Sequence, residues 1–242
     1  MSGANPVPRH DPICFNTATP RPGGRTPSRT NGPTPWRIAT DRLHATLLPS
    51  ITTMSAPPLA ERNALVCGST QGIGRACAEL LALHGANVVL VGRNEEGLAQ
   101  VFDGLPRPLG QEHGTLLVDF ADWRAVEKVG NEHAATHGPV HILLNNTGGP
   151  PAGALFDAGP EDLLRAFEMH VVCAQVLARA VATGMRDAGY GRIINIVSTS
   201  VVTPIRGLGV SNVIRAAMGN WMRTLAHELG PFNITVNTVL PG

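Results

Sequence analysis

From Asn63 onward, short apolar runs alternate with amphipathic stretches. The runs Ala64–Cys67, Asn87–Val91, Thr115–Val118, Val140–Leu144, Arg192–Val197 and Ile234–Val239 predict six strands. Between them, apolar positions recur at helical spacing near 73–84, 95–103, 122–136, 161–186 and 212–229. Nearly continuous apolar strands alternating with helices require a parallel sheet covered on both faces. The α/β arrangement that follows is a doubly wound parallel sheet with strand order 3-2-1-4-5-6, ligands binding at the carboxyl ends of the strands. No internal repeat stands out beyond the strand–helix alternation.

Residues 1–58 break this pattern. Nine prolines lie between Pro6 and Pro49 among many Ser and Thr, without sustained periodicity, which predicts a disordered extension ahead of a single domain over 59–242. The segment carries six arginines and only two acids, as targeting peptides do, but its prolines oppose the amphipathic helix such peptides form. An over-extended start is the favoured expectation, because Met54 opens a second N-terminus just ahead of the first strand.

Composition narrows the class. The chain has 242 residues, a net charge of +1, 43% hydrophobic and 15% charged residues, which suits one α/β domain with a large core. Near neutrality argues against nucleic acid as the main partner. No apolar run approaches the roughly 18 residues that a membrane span needs. Cys14, Cys67, Cys77 and Cys173 show neither metal-ligand nor disulfide spacing; three lie in apolar patterns and read as buried thiols of a reducing compartment, the cytoplasm. Tyr190 is the only tyrosine and Lys128 the only lysine.

The candidate chemistry starts where the first strand runs into Gly68-Ser69-Thr70-Gln71-Gly72-Ile73-Gly74 and a helix follows. Strand, glycine turn and helix N-terminus together aim backbone N–H groups at a phosphate. Gly68 permits the turn, Gly72 lets a pyrophosphate approach, and Gly74 lets helix and strand pack closely. After the second strand, Gly92 stands where an acid would bond a ribose 2′-hydroxyl, and Arg93 follows it. An arginine there suits a 2′-phosphate, so NADP(H) is expected before NAD(H).

The G-x-x-x-G-x-G spacing, Asn145-Asn146-Thr147-Gly148 after the fourth strand, Gly191–Ser198 and Ile234–Gly242 together resemble the short-chain dehydrogenase/reductase family, in its 3-oxoacyl-acyl-carrier-protein-reductase-like group. The resemblance spans Asn63 to Gly242 and implies a Rossmann fold. It further implies that Asp119 and Phe120 meet the adenine, that Asn146, Thr147 and Gly148 approach the cofactor ribose while Asn145 braces the sheet, and that Pro241 and Gly242 border the nicotinamide. Ser198 takes the place of the family's carbonyl-polarising serine. The family's tyrosine and lysine, thirteen and seventeen positions further on, fall on Ser211 and Arg215. Arg215 would hold the ribose, Ser211 would at most relay a hydrogen bond, and His170 stands where relatives hold a supporting asparagine. The family also continues beyond the point where this chain stops, so a fragment is expected.

What the resemblance implies is NADP(H)-linked reduction of a small-molecule carbonyl, a 3-oxoacyl thioester among the candidates, or the reverse reaction. The alternative is a catalytically impaired NAD(P)-binding homologue with a regulatory or scaffold role. A homo-oligomer is also implied, with Met218, Trp221, Met222 and Leu225 as a candidate interface stripe.

Overall fold

The computed structural model describes residues 58–242; the expected disordered extension and Cys14 lie outside the described residues. Six parallel strands form one sheet in the order β3-β2-β1-β4-β5-β6, which is the doubly wound order that the alternation requires. They are β1 (Asn63–Cys67), β2 (Asn87–Gly92), β3 (Gly114–Leu117), β4 (Ile142–Asn145), β5 (Gly191–Ile196) and β6 (Ile234–Val239). The helices are α1 (Gly72–Leu83), α2 (Glu95–Gly104), α3 (Trp123–Thr136), α4 (Pro160–Phe167), α5 (Cys173–Asp187) and α6 (Gly209–Leu229).

Side chains alternate across each strand. In the central strands β1 and β4 both sets are buried, as a sheet covered on both faces demands, while the edge strands β3 and β6 are largely half-buried or exposed. Leu65, Cys67, Leu143, Ile193 and Ile234 share one core with Val126 of α3 and Val176, Leu177, Val181 and Met185 of α5. Ala64, Val66, Val88, Leu90 and Leu144 share the other with α1 and α2. Truncating such a buried Leu to Ala typically costs about 2–5 kcal/mol. Asn94 and Asp122 cap α2 and α3 by accepting backbone N–H bonds from Gly97, and from Arg124 and Ala125.

Three expectations change in the structure. The β4 run begins at Ile142 rather than Val140, because at the preceding position His141 exchanges bonds with Asn63: its backbone N–H donates to Asn63 O and its Nδ1 accepts from Asn63 N–H. The helical stretch 161–186 is two helices separated by a widened, π-type turn over Glu168–Val172. Such a turn inserts a residue without disturbing the apolar character of the segment, so it is invisible to periodicity. The stripe on α6 is turned inward: Met218 and Met222 are buried against α4 and α5 residues, Leu225 packs on the main core, and Trp221 Nε1–H donates to Gln175 Oε1 at 2.7 Å. Trp221 and Leu225 are only half-buried.

Two histidines secure the amino ends of the strands. His141 Nδ1 accepts from Asn63 N–H, and His113 Nδ1 accepts from Val88 N–H, each at 3.0 Å. An acceptor nitrogen carries no proton, so both bonds need neutral rings. Burial pulls both groups below the usual value of 6.5; charge on Arg62 adds to this at His141 and charge on Arg107 at His113, where a bond to Pro106 O pulls the other way. As pH falls through about 6.5, the unfolded chain takes up protons that the fold does not. The stability that these neutral rings supply is therefore complete above that pH and lost progressively below it. The thermal midpoint should fall between pH 7.5 and 5.5, and His113→Gln/His141→Gln should flatten that slope; an unchanged slope in the double variant would refute the assignment.

Candidate active site

At the carboxyl end of β1 the chain turns at Gly68 (φ +59°) and Gly72 (φ +54°), both in the left-handed region that favours glycine. A side-chain carbon on Gly68 would stand 2.5 Å from Asn146 O, and one on Gly74 would meet Gly68 O. Gly72 differs: nothing lies within 4 Å of its missing side chain. The N-cap of α1, Gln71, makes no capping bond, and the first turn holds no acid. Unsatisfied N–H groups of a helix N-terminus thus face an open, glycine-lined cradle, a donor set that fits a phosphate group.

Around the cradle, side chains hold the turn in place. Ser69 is fully buried and its hydroxyl donates to Val91 O, while Asn146 Nδ2 donates to Gly68 O at 3.2 Å. Ser69 and Asn146 therefore brace the backbone through their side chains. Asn145 Nδ2 donates to Asn195 Oδ1 at 2.8 Å, tying β4 to β5 as expected. Beyond β2, Arg93 extends into solvent with Nη1 3.6 Å from Asp119 Oδ2. So exposed a pair contributes about 0–1 kcal/mol, which leaves the guanidinium available to another anion. Asp119 Oδ1 accepts from Ala121 N–H, a local turn bond, and Phe120 packs beside the core.

The ends of β4, β5 and α6 meet on one side of this cradle. Ser198 follows β5 and its Oγ accepts from Ser200 N–H. Pro241 O accepts from Thr199 N–H, so Pro241 and Gly242 lie beside the serine turn. Ser211 and Arg215, one turn apart on α6, are both buried. Arg215 Nη1 donates to Ile196 O at 3.2 Å, and Nη2 lies 3.6 Å from where a side chain on Gly149 would begin. The guanidinium therefore spans from β5 to the loop that follows Asn145-Asn146-Thr147-Gly148.

His170 is the group that spacing located least well. The widened turn presents it and Val171 inward, and it is 4% exposed. Its Nδ1 pairs with Thr147 Oγ1 at 2.5 Å, and its Nε2 has no partner among the described residues. Burial, with the Arg215 charge second, lowers its pKa to about 4, so at neutral pH it is an uncharged hydrogen-bonding group rather than a store of imidazolium protons. The sequence signal for it was the Met169-His170 pair in the helix before β5. Cys67 and Cys173 sit in the core, where burial raises both thiols, Cys173 to about 12. Among the described residues, no group of His, Cys, Asp or Glu could hold a metal ion, and no helix is long and apolar enough to cross a membrane.

Tyr190 and Lys128 lie elsewhere. Tyr190 precedes β5, at the opposite end of the sheet from Ser198, with the guanidiniums of Arg62 and Arg192 each 4.1 Å from its ring centre. Lys128 is on the exposed surface of α3, 3.9 Å from Glu132.

This glycine-turn cradle on a doubly wound sheet defines a class, and residues 62–242 match the short chain dehydrogenase family; the chain belongs to it. Among curated relatives it is 33% identical over 184 residues to the oxidoreductase YvaG of Bacillus subtilis, covering 76% of this chain and 69% of the relative. It is 34% identical over 181 residues to the 3-oxoacyl-acyl-carrier-protein reductase FabG of Escherichia coli, covering 74% and 72%. Human dehydrogenase/reductase SDR family member 4 is 33% identical, and the chain spans 66% of its length. Among solved structures, L-sorbose reductase from Gluconobacter frateurii, complexed with NADPH and L-sorbose, superposes with a TM-score of 0.72 at 34% identity, covering 76% of this chain and 70% of that one.

The glycine turn supplies a direct test of the packing. Gly74→Ala forces the new methyl into the Gly68 carbonyl, and overpacking of this kind typically costs about 1–3 kcal/mol. Denaturant unfolding should show a loss of that size, with nucleotide binding weakened in parallel; a variant as stable as the parent would contradict the contact.

Proposed function

We propose that the chain is an NADP(H)-linked oxidoreductase that reduces a carbonyl, with a 3-oxoacyl thioester among the candidate substrates. The observation that carries this reading is the uncapped N-terminus of α1 facing the open Gly72 cradle, with exposed Arg93 beyond the neighbouring strand. Backbone N–H groups of 68–74 would hold the pyrophosphate, Arg93 the 2′-phosphate, Asp119 and Phe120 the adenine. Asn146, Thr147, Gly148 and Arg215 would hold the nicotinamide ribose, with Pro241 and Gly242 beside the nicotinamide. When bound, the nicotinamide supplies or accepts the hydride.

What the protein adds is orientation and a hydrogen bond at the carbonyl oxygen. Ser198 polarises that oxygen with its hydroxyl, and buried Ser211 stands on the adjoining helix face. A phenol has a pKa near 10, whereas an aliphatic hydroxyl is far harder to ionise. Arg215 keeps its charge and, instead of shuttling a proton, holds Ile196 O through one nitrogen and has a planar fork suited to ribose hydroxyls. Binding is therefore retained more fully than proton transfer.

Two outcomes follow. Titration should show NADPH bound more tightly than NADH by roughly ten- to a hundredfold, the about 1.5–3 kcal/mol of a charge-assisted bond, with the difference removed in Arg93→Ala. Equal affinities in the parent protein would sink the assignment of Arg93.

Turnover of simple ketones should lie about 10²–10⁴ below that of a relative with tyrosine and lysine. The double variant Ser211→Tyr/Arg215→Lys should exceed the product of its single effects, as residues acting as a unit do. NADPH oxidation at ordinary family rates, unharmed by Ser211→Ala, would show that Ser211 takes no part.

A further inference from the structure

A cavity of about 360 Å³ opens between the segment Gly149–Ala154 and α4, bordered by Met169 and His170 on one side and Val210 on the other. It adjoins the site described above. Val210 precedes Ser211 on α6, and Gly149 lies against the Arg215 guanidinium. Its outer wall is fixed rather than hinged. Gly153 N–H donates to Gly207 O at 2.7 Å, and Gly209 N–H donates to Gly153 O at 2.9 Å, so the wall is pinned to the start of α6. No side chain fits at Gly209, where one would run into the backbone of Leu155.

The lining decides what this space accepts. Prolines, alanines, glycines, Met169 and Val210 make up most of it. One buried polar side chain reaches it: His170, whose Nε2 has no partner among the described residues. Asp157, Asp162 and Arg165 stand around it, two acids against one base, and Asp162 Oδ2 already accepts from Gly159 N–H. Asp157, Asp162 and Arg165 are all solvent-exposed, so on the buried part of the wall a ketose would meet, among the described residues, a single unsatisfied nitrogen, and each hydroxyl left unpaired there is costly to desolvate. An anion would face the surplus carboxylate. The volume lies at the small end of ligand sites.

We propose that this cavity holds the non-reacting body of the substrate and selects a compact, uncharged, largely apolar ketone or aldehyde over a polyol or an anionic keto acid. The proposal rests on the carbonyl-reductase reading, and its experiment has a readout apart from turnover. Fluorine NMR of para-fluoroacetophenone is recorded with the full chain saturated with NADP(H), and L-sorbose and levulinate are added as competitors. The ketone signal should broaden and shift with protein, and neither competitor should reverse it.

Ala154→Leu, on the exposed part of the wall, fills the opening without entering the core. It should weaken ketone binding by about ten- to a hundredfold, the range expected when a hydrophobic pocket changes size, at an unchanged thermal midpoint. Absence of ketone binding, displacement by L-sorbose or levulinate, or indifference to Ala154→Leu each overturns the proposal. Nucleotide binding and NADPH oxidation measured on the same samples separate the two failures. Ketone binding without oxidation defeats the reductase reading alone, and oxidation with L-sorbose but no ketone binding defeats the cavity assignment alone.

Discussion

The architecture turns on how closely the β1–α1 turn approaches the end of β4. Gly68 and Gly74 have no room for a side chain, one against Asn146 and the other against the Gly68 carbonyl. Because those atoms touch, the first turn of α1 is seated over the sheet, and Asn146 Nδ2 can reach back to Gly68 O. The same contact sets the direction in which Thr147 and Gly148 leave the sheet. Through Thr147 it fixes His170, and through the following loop it fixes the wall near Arg215. The glycine cradle and the cavity beside His170 thus share one backbone origin.

Much of this was legible because it depends on residue type at fixed spacing. The strands were visible as apolar runs, since a strand buried on both faces has no polar side to interrupt it. The glycine turn was visible because missing side chains are the device itself. Counting from Ser198 picks out Ser211 and Arg215, which are both buried on α6, with Arg215 Nη1 bonded to Ile196 O of β5. The break between α4 and α5 was not legible: a widened turn alters hydrogen bonding while leaving the residues as helix-compatible and apolar as before. The α6 stripe was legible as a stripe, but periodicity cannot say which neighbour an apolar face meets. The structure gives Met218 and Met222 to this domain's own helices.

Charge is distributed so that the two ends of the sheet do different work. At the amino ends, arginines flank Tyr190 and neutral imidazoles accept strand N–H groups, an arrangement concerned with holding strands in place. At the carboxyl ends stand a helix N-terminus, an exposed arginine and a buried one. Arg215 also acts on its surroundings, because its fixed charge helps keep His170 neutral. A buried imidazole beside a permanent cation is a neutral hydrogen-bonding group rather than a store of protons.

The widened turn over Glu168–Val172 also works as a phase shifter. Each residue of an α-helix advances the side-chain direction by about 100°, so one additional residue turns everything before it relative to everything after it. Ala166 on α4 and Cys173 on α5 stand seven residues apart, a spacing that would put them on one face of an unbroken helix, yet Ala166 is buried with α6 and Cys173 with α3. Loss of a single residue here would leave a smooth, well-formed helix and withdraw the inward presentation of His170 and Val171. The length of this segment therefore decides which side chains point inward, something that residue identity alone does not record.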